Sequence, residues 1–325
     1  MTRPLALTMG DPAGIGAEIT AAAWDALRKT GPVFIAVADP GWLAPQNIPM
    51  RVIADPSEVR DMSDALPVLP VTPSLPRPVV PGQADLAAAA STVASIDQAV
   101  ALVQAGVCSA VVTNPINKKV LQDGAGFAYP GHTEYLAHLG GVDRSVMMLS
   151  AAGLRAVPVT IHIALSEVPQ ALTPALLRET AQITHSALRT RFGLKAPRLA
   201  VAGLNPHAGE AGAMGAEELD WINGCVATLA AGGMDITGPL PADTMFHARA
   251  RASYDAALCM YHDQALIPVK TLDFEGGVNI TLGLPFVRTS PDHGTAFDIA
   301  GRGVASATSL INALVEADRM ARAGD

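Results

Sequence analysis

The segment LALTMGDPAGIGAEITAAAWDALRK, residues 5–29, decides the fold class. Its apolar run Leu5–Met9 predicts a buried strand, and the apolar-periodic stretch from about Ala17 to Lys29 predicts a helix. A glycine-rich loop at residues 10–16 lies between them, and its place before a helix suits anion binding. The spacing is not that of the dinucleotide motif G-x-G-x-x-G, and a tight turn with positive φ explains the glycines equally well. A strand, a loop and a helix in this order begin an α/β fold.

The same alternation continues along the chain. Further strands are predicted at Val33–Ala38, Ala110–Thr113, Val146–Leu149, Val157–Ile163, Arg198–Ala202, Ala256–Met260 and Val278–Leu282. Further helices are predicted at Ala84–Ala105, Pro174–Phe192, Ala216–Ala230 and Ser306–Arg322. Continuous apolar strands between helices predict a parallel sheet that is buried on both faces. The six prolines of Pro67–Pro81 argue against a central strand or helix there and predict a surface excursion.

Composition excludes several classes of protein. Of the 325 residues, 50% are hydrophobic, which is enough for a large core and excludes intrinsic disorder. Only 4% are aromatic, so we expect an aliphatic core. The net charge of -8 argues against a nucleic-acid-binding protein, although a local basic cluster can still bind a small anion.

The cysteines and the N-terminal residues indicate a cytoplasmic protein. Cys108, Cys225 and Cys259 lie far apart, so neither a disulfide framework nor a thiolate zinc site is predicted. The first apolar stretch is too short for a signal peptide, and no apolar run approaches the roughly 20 residues of a membrane helix. We therefore expect no membrane partner.

Five of the eight histidines fall in predicted loops or at strand ends: His132, His162, His207, His262 and His293. Three of these, His162, His207 and His262, each follow an apolar strand-like run. Imidazoles that converge from strand ends would form a three-nitrogen site with open positions, as in catalytic zinc sites. Separations of this length match no short metal motif, so three structural histidines are the alternative.

Two basic residues suggest an anion pocket. Lys270 and Arg288 bracket an apolar segment that contains Asn279, and Lys and Arg are sparse elsewhere. An arginine offers a planar fork to a phosphate or carboxylate, and a lysine offers a point charge. Ordinary ion pairs with nearby aspartates are the alternative. Lys118 and Lys119 fit equally well as residues that cap a helix or stabilise a surface.

Seven segments in register carry a resemblance to a known family: MGDPAGIG, NPINKKVL, GHTEYLA, GLNPHAGE, GPLPADTMF, MYHDQALIPVK and VNITLGLPFVRTSPDHGTAFDIAG. Together they resemble the 4-hydroxythreonine-4-phosphate dehydrogenases, from about residue 5 to about residue 302. The resemblance implies a two-domain α/β fold related to isocitrate and isopropylmalate dehydrogenases. We expect one α/β/α domain at 1–128 plus 296–325 and a second at 129–295. It also implies a homodimer with active sites at the subunit interface.

The resemblance also implies site residues. The divalent metal ligands, shared across the dimer, would be His162, His207 and His262. The substrate contacts would be His132, Thr133, Lys270, Asn279 and Arg288. The segment HGTAFDIAG resembles the nucleotide-binding HGSAPDIAG of isopropylmalate dehydrogenases, with Phe297 in place of proline, so the cofactor NAD (or NADP) is expected against Gly294, Thr295 and Asp298. The departures from the family pattern, Ala17 for a usual proline and the charged Lys119, are peripheral.

The family chemistry is an NAD-dependent oxidation of 4-phosphohydroxy-L-threonine at C3, followed by loss of carbon dioxide to give 3-amino-2-oxopropyl phosphate. It belongs to pyridoxal 5′-phosphate (vitamin B6) biosynthesis. Zinc suits three histidines best, with magnesium or cobalt as alternatives. Asp243 and Asp263 are candidates for the proton acceptor or for orienting a ligand. Three other readings stay open: oxidation of 4-phospho-D-threonate or erythronate, oxidation of an aromatic dihydrodiol, and a catalytically inactive binding module.

Overall fold

The structure is a computed structural model in which residues 3–324 are described. Within them the strands are β1 Leu5–Thr8, β2 Phe34–Val37, β3 Met50–Val52, β4 Leu66–Leu69, β5 Val111–Val112, β6 Val146–Ala151, β7 Leu154–Pro158, β8 Arg198–Ala202, β9 Asp235–Leu240, β10 Ala256–Cys259, β11 Val278–Leu282 and β12 Arg288–Pro291. The helices are α1 Gly16–Leu27, α2 Pro40–Leu43, α3 Ala89–Gln104, α4 Lys118–Ala125, α5 His132–Leu139, α6 Val168–Ala171, α7 Pro174–Thr190, α8 Asn223–Ala231, α9 Ala248–Arg251, α10 His262–Leu272 and α11 Thr308–Gly324. The predicted α/β class is confirmed.

The chain divides into two units. The described residues up to Arg144, with Leu284–Ala323, form the first unit, and Ser145–Gly283 form the second. This differs from the predicted division into 1–128 plus 296–325 and 129–295, of which residues 1, 2 and 325 lie outside the described residues. The segments 129–144 and 284–295 lie in the first unit because α5 is tied to α3 and β12 pairs with β5. The tie to α3 is a hydrogen bond from the Tyr135 hydroxyl to the Asp97 carboxylate.

In the first unit, the strand order is β3-β4-β2-β1-β5-β12, and these neighbours pair in parallel. The register brings Leu5 opposite Phe34 and Arg288 opposite Val111. The core is aliphatic, as expected, with Ile35, Val37 and Ile96 among its buried side chains. Parallel pairing puts the carboxyl ends of these strands at one edge, where open α/β sheets bind ligands.

In the second unit, the strand order is β11-β6-β7-β10-β8-β9. Strand β6 runs antiparallel to both β11 and β7, so the prediction of a purely parallel sheet is wrong there. The reason is local: β6 and β7 are joined by a two-residue turn in which Ala152 and Gly153 both have positive φ. A hairpin of this kind forces antiparallel pairing, whereas β7, β10, β8 and β9 pair in parallel.

Helix α3 is a core helix despite its apolar composition. By length and composition the stretch Leu86–Gln104 could cross a membrane, so the prediction that no run is long enough is wrong. In the structure α3 packs against β1, β2 and β5. The Ser95 hydroxyl donates to the carbonyl of Val37 at 2.6 Å and accepts from the Met9 N–H at 2.9 Å. These bonds fasten its buried face to the carboxyl ends of β1 and β2.

The proline-rich segment departs from its prediction at its first residues. Pro67 lies inside β4, between β3 and β2, so the exclusion of a central strand is wrong at that point. The missing N–H of Pro67 costs little because pairing with β2 begins only at Val68. On the side of β3, the Leu66 N–H donates to the Pro49 carbonyl and the Val68 carbonyl accepts from the Ile53 N–H. From residue 70 to residue 81 the chain is in neither helix nor strand and is mostly exposed, as predicted.

A second local difference concerns the predicted strand Val157–Ile163. Strand β7 ends at Pro158, and the next residues turn away from it. The Thr160 hydroxyl donates to the Met260 carbonyl at 2.7 Å, and His162 has a φ of 54°. This left-handed conformation, which is unusual for a residue other than glycine, cannot continue a strand.

Candidate active site

Two of the predicted metal ligands lie together in the second unit. His262 begins α10 shortly after β10, and His162 follows β7, the parallel neighbour of β10. Their ring centroids are 5.6 Å apart. Both rings line a cavity of about 240 Å³, together with Thr160, Tyr261 and Asp263. Adjacent parallel strands thus bring two imidazoles to one edge of the sheet.

The carboxylate of Asp263 is hydrogen-bonded to the ring of His262. Its Oδ1 atom lies 2.7 Å from Nδ1 of His262. If Nδ1 carries the proton in this bond, Nε2 of His262 presents a lone pair, as metal-binding imidazoles do. The donor chemistry of the pair therefore fits a divalent ion. Of the two predicted aspartates, Asp263 is the one that contacts a predicted metal ligand.

His207 lies in an unusual turn after β8. The residues His207–Ala211 all have positive φ, from 41° to 79°, although only Gly209 is a glycine. Such a conformation costs about 1–2 kcal/mol for each residue with a side chain. The buried carboxylate of Glu218 offsets this cost: its Oε1 accepts from the Asn205 N–H at 2.8 Å, and its Oε2 accepts from Asn205 Nδ2 at 2.9 Å.

Within one chain, the three predicted metal ligands do not come together. Among residues 3–324, no three His, Cys, Asp or Glu side chains lie close enough together to hold one metal ion. His207 therefore does not join His162 and His262 within one chain. Asp243, the other predicted acid, is exposed in a short turn that contacts the turn at Pro206–Gly212. Asp263 is thus close to His262, whereas Asp243 is close to the turn that contains His207.

The predicted substrate contacts in the second unit, Lys270 and Asn279, are on α10 and β11. Lys270 lies in the last turn of α10, with Nζ 5.5 Å from the centroid of the Phe274 ring. Asn279 is in β11, opposite Leu149. Its Oδ1 atom is buried and has no hydrogen-bond partner among the described residues. A buried amide oxygen without a partner is what a binding site leaves for its ligand.

A cationic group lies in the first unit. Arg288, in β12, is buried, and its Nη2 donates to the Thr113 hydroxyl at 2.6 Å. Burial lowers the pKa of its guanidinium to about 10, so the side chain stays protonated at pH 7. A buried guanidinium costs free energy unless an anion or hydrogen-bond acceptors face it. The planar fork of a protonated guanidinium also suits an anionic ligand.

His132 is the first residue of α5, and the positive charges of Arg288 and Lys118 act on its ring. Burial, with the positive charges of Arg288 and Lys118, holds the pKa of His132 well below its usual value of 6.5. The ring is therefore neutral at pH 7. Its Nε2 atom is buried and makes no hydrogen bond to any described residue. Thr133 follows it in the first turn of the helix.

The predicted cofactor residues are fastened to the glycine-rich loop. The carbonyl of Thr295 accepts from the Ile15 N–H at 3.0 Å. A Cβ on Gly14 would lie only 2.8 Å from that carbonyl, so this close approach requires glycine. Glu18 accepts from the N–H of Gly303 at 2.9 Å. Gly294 and Asp298 are exposed on the same segment.

Beside this segment is a cavity of about 380 Å³, lined by Gly14, Glu18, Trp42, Arg77 and Gly301 among others. The indole N–H of Trp42 is buried there without a partner among the described residues. The sequence did not point to Trp42, because a lone tryptophan in an apolar run is normally a core residue. Part of the proline-rich segment, from Leu75 to Pro81, lines this cavity too.

Asp11 is a second residue that sequence reasoning missed. It is buried in the glycine-rich loop, and its Oδ1 accepts from the Ala13 N–H at 3.0 Å. Burial raises the pKa of its carboxyl group. A charged residue between a buried strand and a glycine-rich turn was the available signal.

Comparisons with known proteins decide the family. Residues 32–317 match the family of the pyridoxal phosphate biosynthetic protein PdxA. The chain belongs to this family. It is 58% identical over 322 residues to a 4-hydroxythreonine-4-phosphate dehydrogenase of Roseobacter denitrificans, covering 98% of each chain. A protein of Ruegeria with the same name is 57% identical over 319 residues, covering 98% of this chain and 97% of its own. The resemblance that the sequence motifs carried is thereby confirmed.

Solved structures agree with the family assignment. A 4-hydroxythreonine-4-phosphate dehydrogenase of Klebsiella pneumoniae superposes with a TM-score of 0.89 at 38% identity, covering 99% of this chain and 98% of that one. A terephthalate 1,2-cis-dihydrodiol dehydrogenase of Burkholderia xenovorans gives a TM-score of 0.65 at 28% identity, covering 96% of each chain. The family thus has a structural relative that is named a dihydrodiol dehydrogenase.

Proposed function

We propose that this chain oxidises 4-phosphohydroxy-L-threonine at C3 with NAD, in pyridoxal 5′-phosphate biosynthesis. A hydride leaves C3 for the nicotinamide and the hydroxyl proton goes to a base, which leaves a 3-oxo acid. Loss of carbon dioxide, with uptake of a proton at C2, then gives 3-amino-2-oxopropyl phosphate. The observation that carries the proposal, beside the family, is the buried Arg288 beside the neutral His132. This arrangement suits the phosphate group of that substrate.

The metal belongs to the same proposal. His162 and His262 would hold a divalent ion, with zinc preferred and magnesium or cobalt as alternatives. When bound, such an ion polarises the C3 hydroxyl and stabilises the negative charge that develops on its oxygen. Asp263 keeps the ring of His262 in place through its bond to Nδ1. Since that carboxylate is engaged, Asp243 is the preferred candidate for the proton acceptor.

We further propose that the site is completed in a homodimer, with His207 contributed by a second copy of the chain. A third ligand is required because the two imidazoles in one chain are too few for a catalytic site of this kind. Beside their cavity, Ile163 is 41% and Leu165 is 68% exposed. Apolar side chains next to a functional cavity suit a protein interface. A cytoplasmic location is part of the same proposal.

The cofactor would lie against Gly294, Thr295 and Asp298, with NAD preferred to NADP. Two observations support this placement. The segment is hydrogen-bonded to the glycine-rich loop through the Thr295 carbonyl, and Asp298 is exposed on it. An acidic side chain favours the free ribose hydroxyls of NAD over the extra phosphate of NADP. On the substrate, Lys270 and Asn279 of the second unit would supply a further cation and the amide oxygen that lacks a partner.

Initial rates test the proposal. The purified chain is dialysed against a chelator, resupplied with zinc, magnesium or cobalt, and assayed for NADH formation. We expect kcat/KM for 4-phosphohydroxy-L-threonine to exceed that for 4-phospho-D-threonate or 4-phosphoerythronate at least tenfold. A higher value for either competitor, or turnover of an aromatic dihydrodiol alone, contradicts the proposed substrate. NADP is assayed in parallel at the same concentration.

A further inference from the structure

We propose that Lys118 is a third contact, and the second cationic one, for the phosphate group of the substrate, beside the neutral His132 and the cationic Arg288. Sequence reasoning left this lysine as a helix cap or a surface residue. The inference rests on the proposed function only for the identity of the substrate that carries the phosphate. The site itself would bind a phosphoryl-type dianion.

Backbone geometry brings Lys118 to the beginning of another helix. Lys118 is the first residue of α4, whose N-cap Asn117 accepts from the Val120 N–H at 3.2 Å. Its side chain passes over Gly131, the residue before α5. A Cβ at Gly131 would lie 3.2 Å from Lys118 Cε and 3.5 Å from Nζ. The ammonium group is therefore held close to the first turn of α5.

The same place collects the features that attract an anion. His132 begins α5 there, and its buried Nε2 has no hydrogen-bond partner among the described residues. The charges of Arg288 and Lys118 both act on that ring. The free N–H groups at a helix beginning add partial positive charge. One carboxylate opposes them: Glu134 Oε2 would also lie 3.5 Å from a Cβ at Gly131. Two full cations and a neutral donor outweigh this single acid.

Within α4, the charge of Lys118 is not used. It is exposed, and no ion pair involving it occurs in the part of the chain that the structure describes. Its neighbour Lys119 differs. The ammonium of Lys119 lies 2.5 Å and 2.8 Å from the two carboxylate oxygens of Asp123, four residues along the same helix. Two adjacent lysines thus have separate roles, since one stabilises its own helix and the other faces His132.

This contrast provides a matched pair of variants, Lys118→Met and Lys119→Met. Both remove one exposed charge from the same helix turn, and both should leave the fold intact. Binding of inorganic phosphate is measured by calorimetry, and initial rates give KM for 4-phosphohydroxy-L-threonine and for NAD. We expect Lys118→Met to raise the phosphate Kd and the substrate KM about tenfold or more, with the KM for NAD within about twofold. Lys119→Met should leave all three values near those of the wild type.

A charge-conserving variant separates binding from packing. Lys118→Arg should recover most of the phosphate affinity, because a guanidinium also bonds a phosphate. Equal phosphate Kd values for Lys118→Met and Lys119→Met overturn the inference, as does a wild type that binds neither inorganic phosphate nor a phosphorylated substrate. If the wild type binds phosphate but does not oxidise 4-phosphohydroxy-L-threonine, the proposed function fails and the phosphate Kd values alone decide the role of Lys118.

Discussion

The guanidinium of Arg288 donates to the hydroxyl of Thr113 over 2.6 Å, from β12 to the end of β5. The bond holds a buried cation in one orientation, so that its planar fork has a fixed direction. Fixed direction is what bidentate recognition of a phosphate requires. The neighbouring His132 is neutral and adds a donor without a further charge.

Replacing Arg288 by lysine should therefore impair substrate binding although the charge type is retained. A lysine offers no fork, and the burial that lowers the pKa of Arg288 to about 10 would lower that of a lysine from a smaller starting value. We expect KM for the phosphorylated substrate to rise about 10–100-fold, with the KM for NAD nearly unchanged. Initial-rate kinetics check this. An equal rise in both KM values would assign Arg288 to the cofactor instead.

The depressed pKa of His132 predicts a loss of stability in acid. The unfolded chain protonates this histidine as the pH falls through about 6.5, whereas the folded chain keeps it neutral. Because the unfolded state then binds more protons, the free energy of unfolding decreases as the pH falls, by at most about 1.4 kcal/mol per pH unit for one group. His132→Asn removes the titrating ring.

Urea unfolding of the wild type and of His132→Asn at pH 7.5, 6.5 and 5.5 measures this effect. The variant should lose less stability than the wild type between pH 6.5 and 5.5, because all other histidines are common to both. Identical slopes for the two proteins would show that the folded His132 takes up a proton as readily as the unfolded one.

The bonds of Glu218 predict a positioning role for this residue. Glu218→Gln weakens the support of the turn that carries His207, because the carboxylate accepts from both nitrogens of Asn205. We expect the free energy of unfolding to fall by about 1–3 kcal/mol. Metal affinity, measured by zinc titration, should fall about tenfold. Glu217→Gln is the control, since Glu217 is only half-buried and accepts from the Asn205 side chain. Equal losses of zinc affinity in the two variants would contradict the role.

How much the sequence could predict depends on whether local pattern or distant pairing decides a segment. Strands β8 and β11 match their predicted ranges residue for residue because each is a buried run rich in apolar residues. Strand β12, RTSP, is polar and becomes a strand only through its pairing with β5. The prediction that His132 lies in a loop is wrong, because His132 is the first residue of α5, whose eight residues carry too few turns of apolar periodicity to fix where the helix begins.

The candidate site likewise contains some residues that the sequence could predict and others that it could not. The loop histidines stand out in the sequence, since each interrupts an apolar pattern, and the structure brings His162 and His262 together. Their supporting residues do not stand out. Glu218 reaches Asn205 only because the intervening turn is left-handed. Lys118 looks like an ordinary helix-beginning residue until α5 is packed beside it.

The last prediction concerns the dimer. If His162 and His262 of one chain share a metal with His207 of the other, a mixture of His207→Ala and His262→Ala proteins should regain activity. In a mixed dimer, one site carries both lesions and the other carries neither. Random exchange of equal amounts makes about half of the dimers mixed, so about a quarter of all sites are intact. A mixture of His162→Ala and His262→Ala should stay inactive, because both lesions lie in the pair that one chain supplies. Mass spectrometry confirms subunit exchange in each mixture. If exchange is complete and the first mixture gains nothing, or if the second gains as much as the first, the assignment of His207 to the opposite chain is wrong.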